Sequence, residues 1–380
     1  MQYTEYELGE LLPFEQPTAY IVKSTDYNDS YSTPVLTAGK SFILGKTNEK
    51  YGIFDQLPVI IFDDFTTATQ FVNFKFKVKS SAMKILHINT ALVMPKYIFY
   101  RLQIIQFDHS THKRYWIQSY SKIKVSIPSL DEQSRIVSRI DELFSELEKA
   151  VDTLKTTKEQ LAVYRQAVLR DAFSNIPREM YKPLKLVMEE MPQNGLYKSK
   201  SFYGEGNPIL RIDGFYDGEV VPNYEYKRVR LEAEEIKKYA LHIGDIVVNR
   251  VNSMSYLGKC ALIRNLEEPT IFESNVMRFR LDKQQIDLEY AMYYLSTSFG
   301  RHELIKNAKQ AVNQASINQT DVGNALIPIP KDLEAQRNIA QKISAHIAVC
   351  NNIEQGIDTA FAQADAMRQS ILKQSFEGKF

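Results

Sequence analysis

The stretch Asp131-Glu-Gln-Ser-Arg-Ile-Val-Ser-Arg-Ile-Asp-Glu-Leu143 opens a helical pattern that runs unbroken to Ser174, and it returns near the C-terminus as Glu334–Glu377. A displacement of 203 positions places Gln133 on Gln336, Ile136 on Ile339, Ile140 on Ile343, Leu169 on Leu372 and Phe173 on Phe376, with no insertion. Arg165-Gln166 likewise falls on Arg368-Gln369. Each copy follows a strand-like segment, Val125-Ser-Ile-Pro128 in one case and Leu326-Ile-Pro-Ile-Pro330 in the other. A repeat of this length governs the whole plan: globular unit, long helix, globular unit, long helix.

The first helix is expected to start after Pro128, with Ser129 as N-cap and Glu132 three positions on. Its apolar seam runs Ile136, Ile140, Leu143, Leu147, Ala150, Leu154, Thr157, Leu161, Tyr164, Val168 in steps of four and three, the heptad pattern of a coiled coil. The second copy runs Ile339, Ile343, His346, Cys350, Ile353, Ile357, Ala360, Ala364, Met367, Ile371. A seam this long needs a partner helix, and its own repeat is the obvious candidate. One helix delivers the chain into the second globular unit and the other leaves it, so the pair is expected to be antiparallel. About 43 residues at ~1.5 Å rise give rods of roughly 64 Å.

The globular parts echo each other more loosely. Residues 1–128 form the first, in which Pro34–Gly39, Ser41–Leu44, Pro58–Asp63 and Phe71–Lys79 read as strands, Pro95–Ile105 as a helix opened by proline, and His109–Trp116 as a basic loop. Residues 177–330 form the second. There Asn207-Pro-Ile-Leu answers Thr33-Pro-Val-Leu, Gly244–Arg250 answers the Pro58 strand, and Ile286–Tyr294 answers the Pro95 helix. Residues 129–176 and 331–380 are the central and distal helices. The fold class expected is α+β, with two mixed α/β domains, two long antiparallel coiled-coil helices and an internal pseudo-two-fold repeat.

With 380 residues the chain has room for two domains. Its apolar content suits a folded, soluble protein, and the N-terminus lacks the basic and apolar regions of a signal peptide. No apolar run reaches the length of a membrane span, and two cysteines cannot build a disulfide framework, so the expected compartment is the cytoplasm. The net charge of +1 does not announce a nucleic-acid binder. Between Lys75 and Lys124, however, ten basic residues stand against the single acid Asp108, either a field for phosphate contacts or simply a basic surface.

Taken in order, these features make the chain resemble the specificity subunits of type I restriction-modification enzymes, over essentially its whole length. The resemblance rests on Ile127-Pro-Ser-Leu-Asp-Glu-Gln133 and Ile327-Pro-Ile-Pro-Lys-Asp-Leu-Glu-Ala-Gln336 with their helices, on Leu241–Val248, and on Pro34–Gly39, Ile60–Thr67 and Lys79–Met83. It implies a non-catalytic reader of double-stranded DNA. Each globular domain would read half of a bipartite, asymmetric target, and the helices would dock two adenine-methyltransferase subunits. Two motor-nuclease subunits can join. S-adenosylmethionine, ATP and magnesium would belong to these partners, with no cofactor in this chain and no membrane. The alternatives are the specificity part of an enzyme whose cutting and methylating subunit is one fused chain, and a coiled-coil scaffold that binds proteins.

No catalytic or metal-binding constellation emerges. Asn207-Pro-Ile-Leu is the nearest approach to a methyltransferase Asn-Pro-Pro-aromatic motif and lacks its second proline. Asp63-Asp64 lacks the third acid of a nuclease and suits a strand end that caps a turn. DNA contacts call for Arg and Lys toward phosphate and guanine, Asn and Gln toward adenine, and small hydroxyls for close approach. In the first domain the candidates are Lys40, Lys46, Thr66, Thr67, Thr69, Ser80, Ser81, His112, Lys113 and Arg114. In the second they are Arg211, Arg250, Asn252, Ser253, Tyr256, Asn275, Lys309, Gln310, Asn313 and Gln314, with an amide-rich loop at Lys309–Asn318 that could equally be a solvated turn.

Overall fold

The structure, a computed structural model, describes residues 3–37, 41–108, 114–312 and 314–378. It divides into two compact units, Met1–Lys155 with Asp358–Phe380, and Thr156–Ile357. Two long helices, Leu130–Ser174 and Leu333–Phe376, are each shared between the units and keep the 203-residue offset at their first residues. Among the described residues no helix is long and apolar enough to cross a membrane.

The first unit holds a four-stranded antiparallel sheet in the order Phe14–Glu15, Met83–Leu86, Val59–Asp63, Thr69–Val72. Val59–Asp63 is central and buried along its whole length, as its continuous apolar run requires. A second sheet orders Ile43–Thr47, Thr33–Leu36 and Lys77–Val78, and its last pair is parallel. Thr4–Glu7 pairs with Lys124–Ile127 and closes the domain just before the long helix.

The second unit repeats this plan. Asp245–Asn249 is the central strand of a four-stranded sheet, between Val276–Leu281 and Cys260–Leu262. Tyr203–Leu210 lies between antiparallel Lys227–Val229 and parallel Ile271–Phe272. The match of Asn207-Pro-Ile-Leu to Thr33-Pro-Val-Leu therefore extends to their partners, because each segment borders one antiparallel and one parallel strand. Tyr181–Pro183 pairs with Leu326–Pro328, the counterpart of the closing pair in the first unit.

Two glutamines fasten the starts of the long helices. Gln133 is fully buried; its Oε1 accepts from Met94 N at 2.7 Å, and its Nε2 donates to Leu92 O at 3.1 Å and Pro128 O at 2.9 Å. Gln336 does the same in the second unit. Its Oε1 accepts from Asp287 N at 2.9 Å, and Nε2 donates to Gln285 O at 3.3 Å and Pro330 O at 2.9 Å. Met94 and Asp287 are the N-caps of the short helices Pro95–Leu102 and Leu288–Leu295. The last turn of the other long helix meets the same short helix: Phe376 stacks edge-on against Tyr97 at 5.2 Å, and Phe173 lies 5.2 Å from Tyr290. Within each unit the two long-helix segments thus run antiparallel.

Burial along the expected seam is uneven. Val137, Ile140 and Phe144 join the first core with Ile371 and Leu372, while Leu169 and Phe173 join the second with Ala340 and Ile343. Ala150, Tyr164, His346, Ile353 and Met367, all expected in the seam, are exposed. Cys350 and Ile357 are buried in the same stretch, and polar groups add contacts beside them. Tyr164 Oη meets His346 Nδ1 at 3.1 Å, and Arg165 donates to Asn351 Oδ1 and Glu354 Oε2, both at 2.7 Å. In the first unit the Arg368 guanidinium covers Phe144 at 4.3 Å.

Three local expectations are corrected. Phe71–Lys79 is not one strand: Thr69–Val72 belongs to one sheet and Lys77–Val78 to the other. Its alternation breaks because Phe76 and Lys77 both face inward, the ammonium of Lys77 being satisfied by Tyr51 O, Gly52 O and Glu49. Trp116 is not in a polar loop but buried between Phe62 and Tyr120. Half of the ten basic residues between Lys75 and Lys124 are paired with acids distant in sequence. Lys75 pairs with Asp55, Lys84 with Asp64, Lys96 with Asp141 and Lys124 with Glu5.

Candidate nucleic-acid interface

In both units the chain leaving the central strand makes the candidate surface. In the first, Val59–Asp63 ends in a turn that Asp63 caps, Oδ1 accepting from Phe65 N at 2.8 Å and Thr66 N at 3.2 Å. Thr67 takes a positive φ of 59° to close it. Asp64, 2% exposed, is the organising residue. Its Oδ1 accepts from Trp116 N at 2.8 Å, its Oδ2 lies 3.4 Å from the Lys84 ammonium, its carbonyl accepts from Tyr115 N at 2.9 Å, and its own N–H donates to Ala82 O at 3.4 Å. These bonds bring together the turn bearing Thr66 and Thr67, the turn bearing Ser80 and Ser81, and the segment bearing Arg114. The Arg114 guanidinium lies 5.9 Å from the ring of exposed Phe65.

Two candidates of this unit are placed elsewhere. The Thr69 hydroxyl accepts from Gln103 Nε2 at 2.5 Å, and Lys46, on the second sheet, reaches Asp29 O at 3.5 Å. Lys40, His112 and Lys113 lie outside the described residues, as does Asn313 of the second unit.

In the second unit, Asp245–Asn249 is followed by Val251–Asn252, which forms a small sheet with Ala315–Ser316 and Lys309–Gln310. The amide-rich segment is therefore a hairpin rather than an irregular loop. Its described turn residues are exposed, Val312 at 99%, and Ala311 N donates to Gln314 O at 2.7 Å. Asn252, Ser253, Tyr256, Lys309, Gln310 and Gln314 thus belong to one connected surface. Asn252 caps its own turn, Oδ1 accepting from Ser253 N at 2.8 Å. Arg250 N donates to Asn275 O at 3.0 Å, which attaches Asn275 to the same edge. The Arg250 side chain turns inward to Ser274 O at 2.8 Å, and burial lowers its pKa from the ordinary arginine value.

Glu273, 8% exposed, ties the segment Arg211–Ile212 to the end of strand Ile271–Phe272. Its carboxylate accepts from Arg211 Nε at 3.0 Å and Ile212 N at 2.9 Å, and that hydrogen bond holds the Arg211 guanidinium above its ordinary pKa. Arg211 is thus committed to an internal acid. Behind Glu273 runs Gly195, where a Cβ would collide with the carbonyls of Phe272 and Glu273, so only glycine allows this approach. The approach carries Tyr197, 77% exposed, toward the same edge.

Sequence reasoning missed Asp64 as an organiser, Glu273, Tyr216, Lys259 and Arg301. Lys259 lies 5.1 and 5.2 Å from the rings of Tyr216 and Tyr256, binding the turn to the hairpin Phe215–Val220. The available signal was an acid directly after a continuous apolar run, as in Val59-Ile-Ile-Phe-Asp-Asp64: a carboxylate there is carried into the interior and must find donors.

Among the described residues this surface presents hydroxyls, amides, aromatic rings and cations on hydrogen-bonded turns. Comparison with known proteins agrees with the internal repeat. A family described as "Type I restriction modification DNA specificity domain" matches residues 2–155 and again 187–360. The chain is 31% identical over 373 residues to the EcoR124I/EcoR124II specificity subunit of Escherichia coli, covering 92% of this chain and 88% of that one. It is 26% identical over 274 residues to the EcoKI specificity subunit of Escherichia coli K12, covering 69% of this chain and 58% of that one. Its fold is similar to a chain solved in a study of assembly and conformational transition of the type I R-M system, with TM-score 0.68, 16% identity and coverage of 98% and 97%.

Proposed function

The chain belongs to the type I restriction-modification DNA specificity family, and on that premise we propose that its two units each read one half of a bipartite, asymmetric DNA target. It is a non-catalytic specificity subunit, and the chemistry it directs is adenine methylation by partner subunits. The recognition domains in this reading are residues 1–128 and 177–330, and the long helices at 129–176 and 331–380 are the docking elements for two methyltransferase subunits. Two motor-nuclease subunits complete the restriction complex, and S-adenosylmethionine, ATP and magnesium are bound on those partners in the cytoplasm.

The observation that carries the reading is the duplicated turn after the central strand, at Asp64–Thr67 and again at Arg250–Leu257. Both turns expose the side chains that read base edges on bonded backbones, the first held by the buried Asp64 carboxylate and the second by Asn275 O, Ser253 O and the Arg301 guanidinium. In this reading Thr66, Thr67, Ser80, Ser81 and Arg114 serve one half-site. Asn252, Ser253, Tyr256, Asn275, Gln310 and Gln314 serve the other, with Lys309 beside them as a phosphate contact. Lys40, Lys46, Thr69, His112, Lys113 and Asn313 remain proposed as flanking DNA contacts, and Arg211 and Arg250 as DNA-binding residues that act by holding the reading surface through their internal bonds.

The test is coexpression with its methyltransferase subunit followed by genome-wide mapping of methyladenine. The expected result is one split motif with a fixed spacer. Methylation at a continuous motif, or at none, would overturn the reading.

A further inference from the structure

The turn Asn252–Leu257 sits on the helix Ser298–Ile305, and the contact is close. Gly258, at φ +75°, presents its α-carbon face to that helix, where an added Cβ would stand 2.5 Å from Ile305 Cγ2. Leu257 is fully buried beneath the turn, and Tyr256 N and Leu257 N both donate to Ser253 O at 2.9 Å. Arg301 of the helix reaches up into the turn from below. Its Nε donates to Leu257 O at 2.9 Å and its Nη2 to Met254 O. One planar guanidinium thus bridges two carbonyls three residues apart, which fixes the path of Met254, Ser255 and Tyr256 between them. Those three residues and Ser253 are exposed.

Among the described residues Arg301 pairs with no carboxylate: its bonds go to neutral carbonyls, in contrast to Arg211, Arg264, Arg278 and Arg280, each of which holds an acid. A full positive charge therefore lies directly under a turn whose outer face offers hydroxyls and an aromatic ring.

We propose that Arg301 is the positioning residue for the second half-site: it sets the geometry of the Asn252–Tyr256 turn through its two carbonyls and contributes charge toward DNA phosphate from below. The inference rests on the proposed function, and the test separates the two. In the complex with its methyltransferase subunit, Arg301→Lys keeps the charge but cannot bridge both carbonyls. Arg301→Gln loses the charge as well.

With R301K the methyladenine map is expected to show relaxed base preference in one half of the motif, by roughly tenfold in discrimination at the affected position. The other half, the spacer and the salt dependence of DNA binding stay as in the wild type. R301Q is expected to show the same relaxation and a shallower salt dependence. An R301K map as strict as the wild type's overturns the positioning role. A wild type that reads no split motif overturns the underlying function instead. If R301K assembles poorly, hydrogen exchange on the R301Q chain decides. Faster exchange at the Tyr256 and Leu257 amides, with core amides unchanged, supports the clamp, and unchanged exchange there refutes it.

Discussion

Replacing Gln133 by Met tests the claim that one buried amide fixes each long helix to its short helix. Methionine nearly preserves volume, so the loss is confined to hydrogen bonding. It strands the Met94 N–H and removes a donor from Leu92 O and Pro128 O, around a side chain that is itself fully buried. The stranded N–H is the dearest of the three, at about 1–3 kcal/mol, and the carbonyls are milder, so the variant is expected to lose roughly 3–4 kcal/mol. Trp116, the only tryptophan, is buried in the core of the same unit and reports on it alone. Urea unfolding followed by Trp116 fluorescence should therefore shift strongly in Gln133→Met. Gln336→Met removes the equivalent three bonds in the other unit. It should lower the far-UV circular dichroism midpoint by a similar amount, with less effect on the fluorescence transition. The two glutamines share no partner, so the double variant should approach the sum. A loss below about 1 kcal/mol in Gln133→Met would refute the reasoning, because three buried groups cannot lose their partner so cheaply.

Three further outcomes follow from the same geometry. Lys84→Met leaves the Asp64 carboxylate buried without its cation and should destabilise the first unit by about 3–5 kcal/mol in the Trp116 transition, whereas Lys75→Met, at an exposed pair, should change it by under ~1 kcal/mol. Lys309→Ala removes an exposed cation from the hairpin, and the slope of log affinity against log salt for the assembled complex should fall by about 1 without altering the methylated motif. Both cysteines are buried, and burial pushes the Cys260 thiol up in pKa, so an alkylating reagent should label neither until the chain unfolds.

The long helices were legible because a heptad seam needs no tertiary information. The expected Asp131–Ser174 and the observed Leu130–Ser174 differ by one residue. The Thr33–Leu36 and Asn207–Leu210 match was legible too, since a short apolar run after proline reads as a strand whatever its neighbours. What failed were inferences that counted linear neighbours. Lys77 and Lys84 look like surface charge in sequence, yet each is carried inward on a strand and neutralised by Glu49 or Asp64 from another segment. The helix seam was legible in part: Cys350 and Ile357 are buried midway along it, as the heptad requires, whereas Tyr164 and His346 are exposed and meet through a hydrogen bond, because heptad position does not show where a core is within reach. The recognition turns were legible as clusters of hydroxyls and amides. Their supports, Asp64, Glu273 and Arg301, were not, because each acts on backbone groups that only the fold brings near.

The central claim is that the two turns act on separate halves of one target. Its most direct test is a pair of methyladenine maps from the assembled complex, one with Thr66, Thr67, Ser80 and Ser81 replaced by alanine, the other with Asn252, Ser253 and Gln310 replaced. The account predicts that each set relaxes a different half of the motif while the other half and the spacer length stay fixed. Changes in both halves from either set, or in the same half from both, would contradict it.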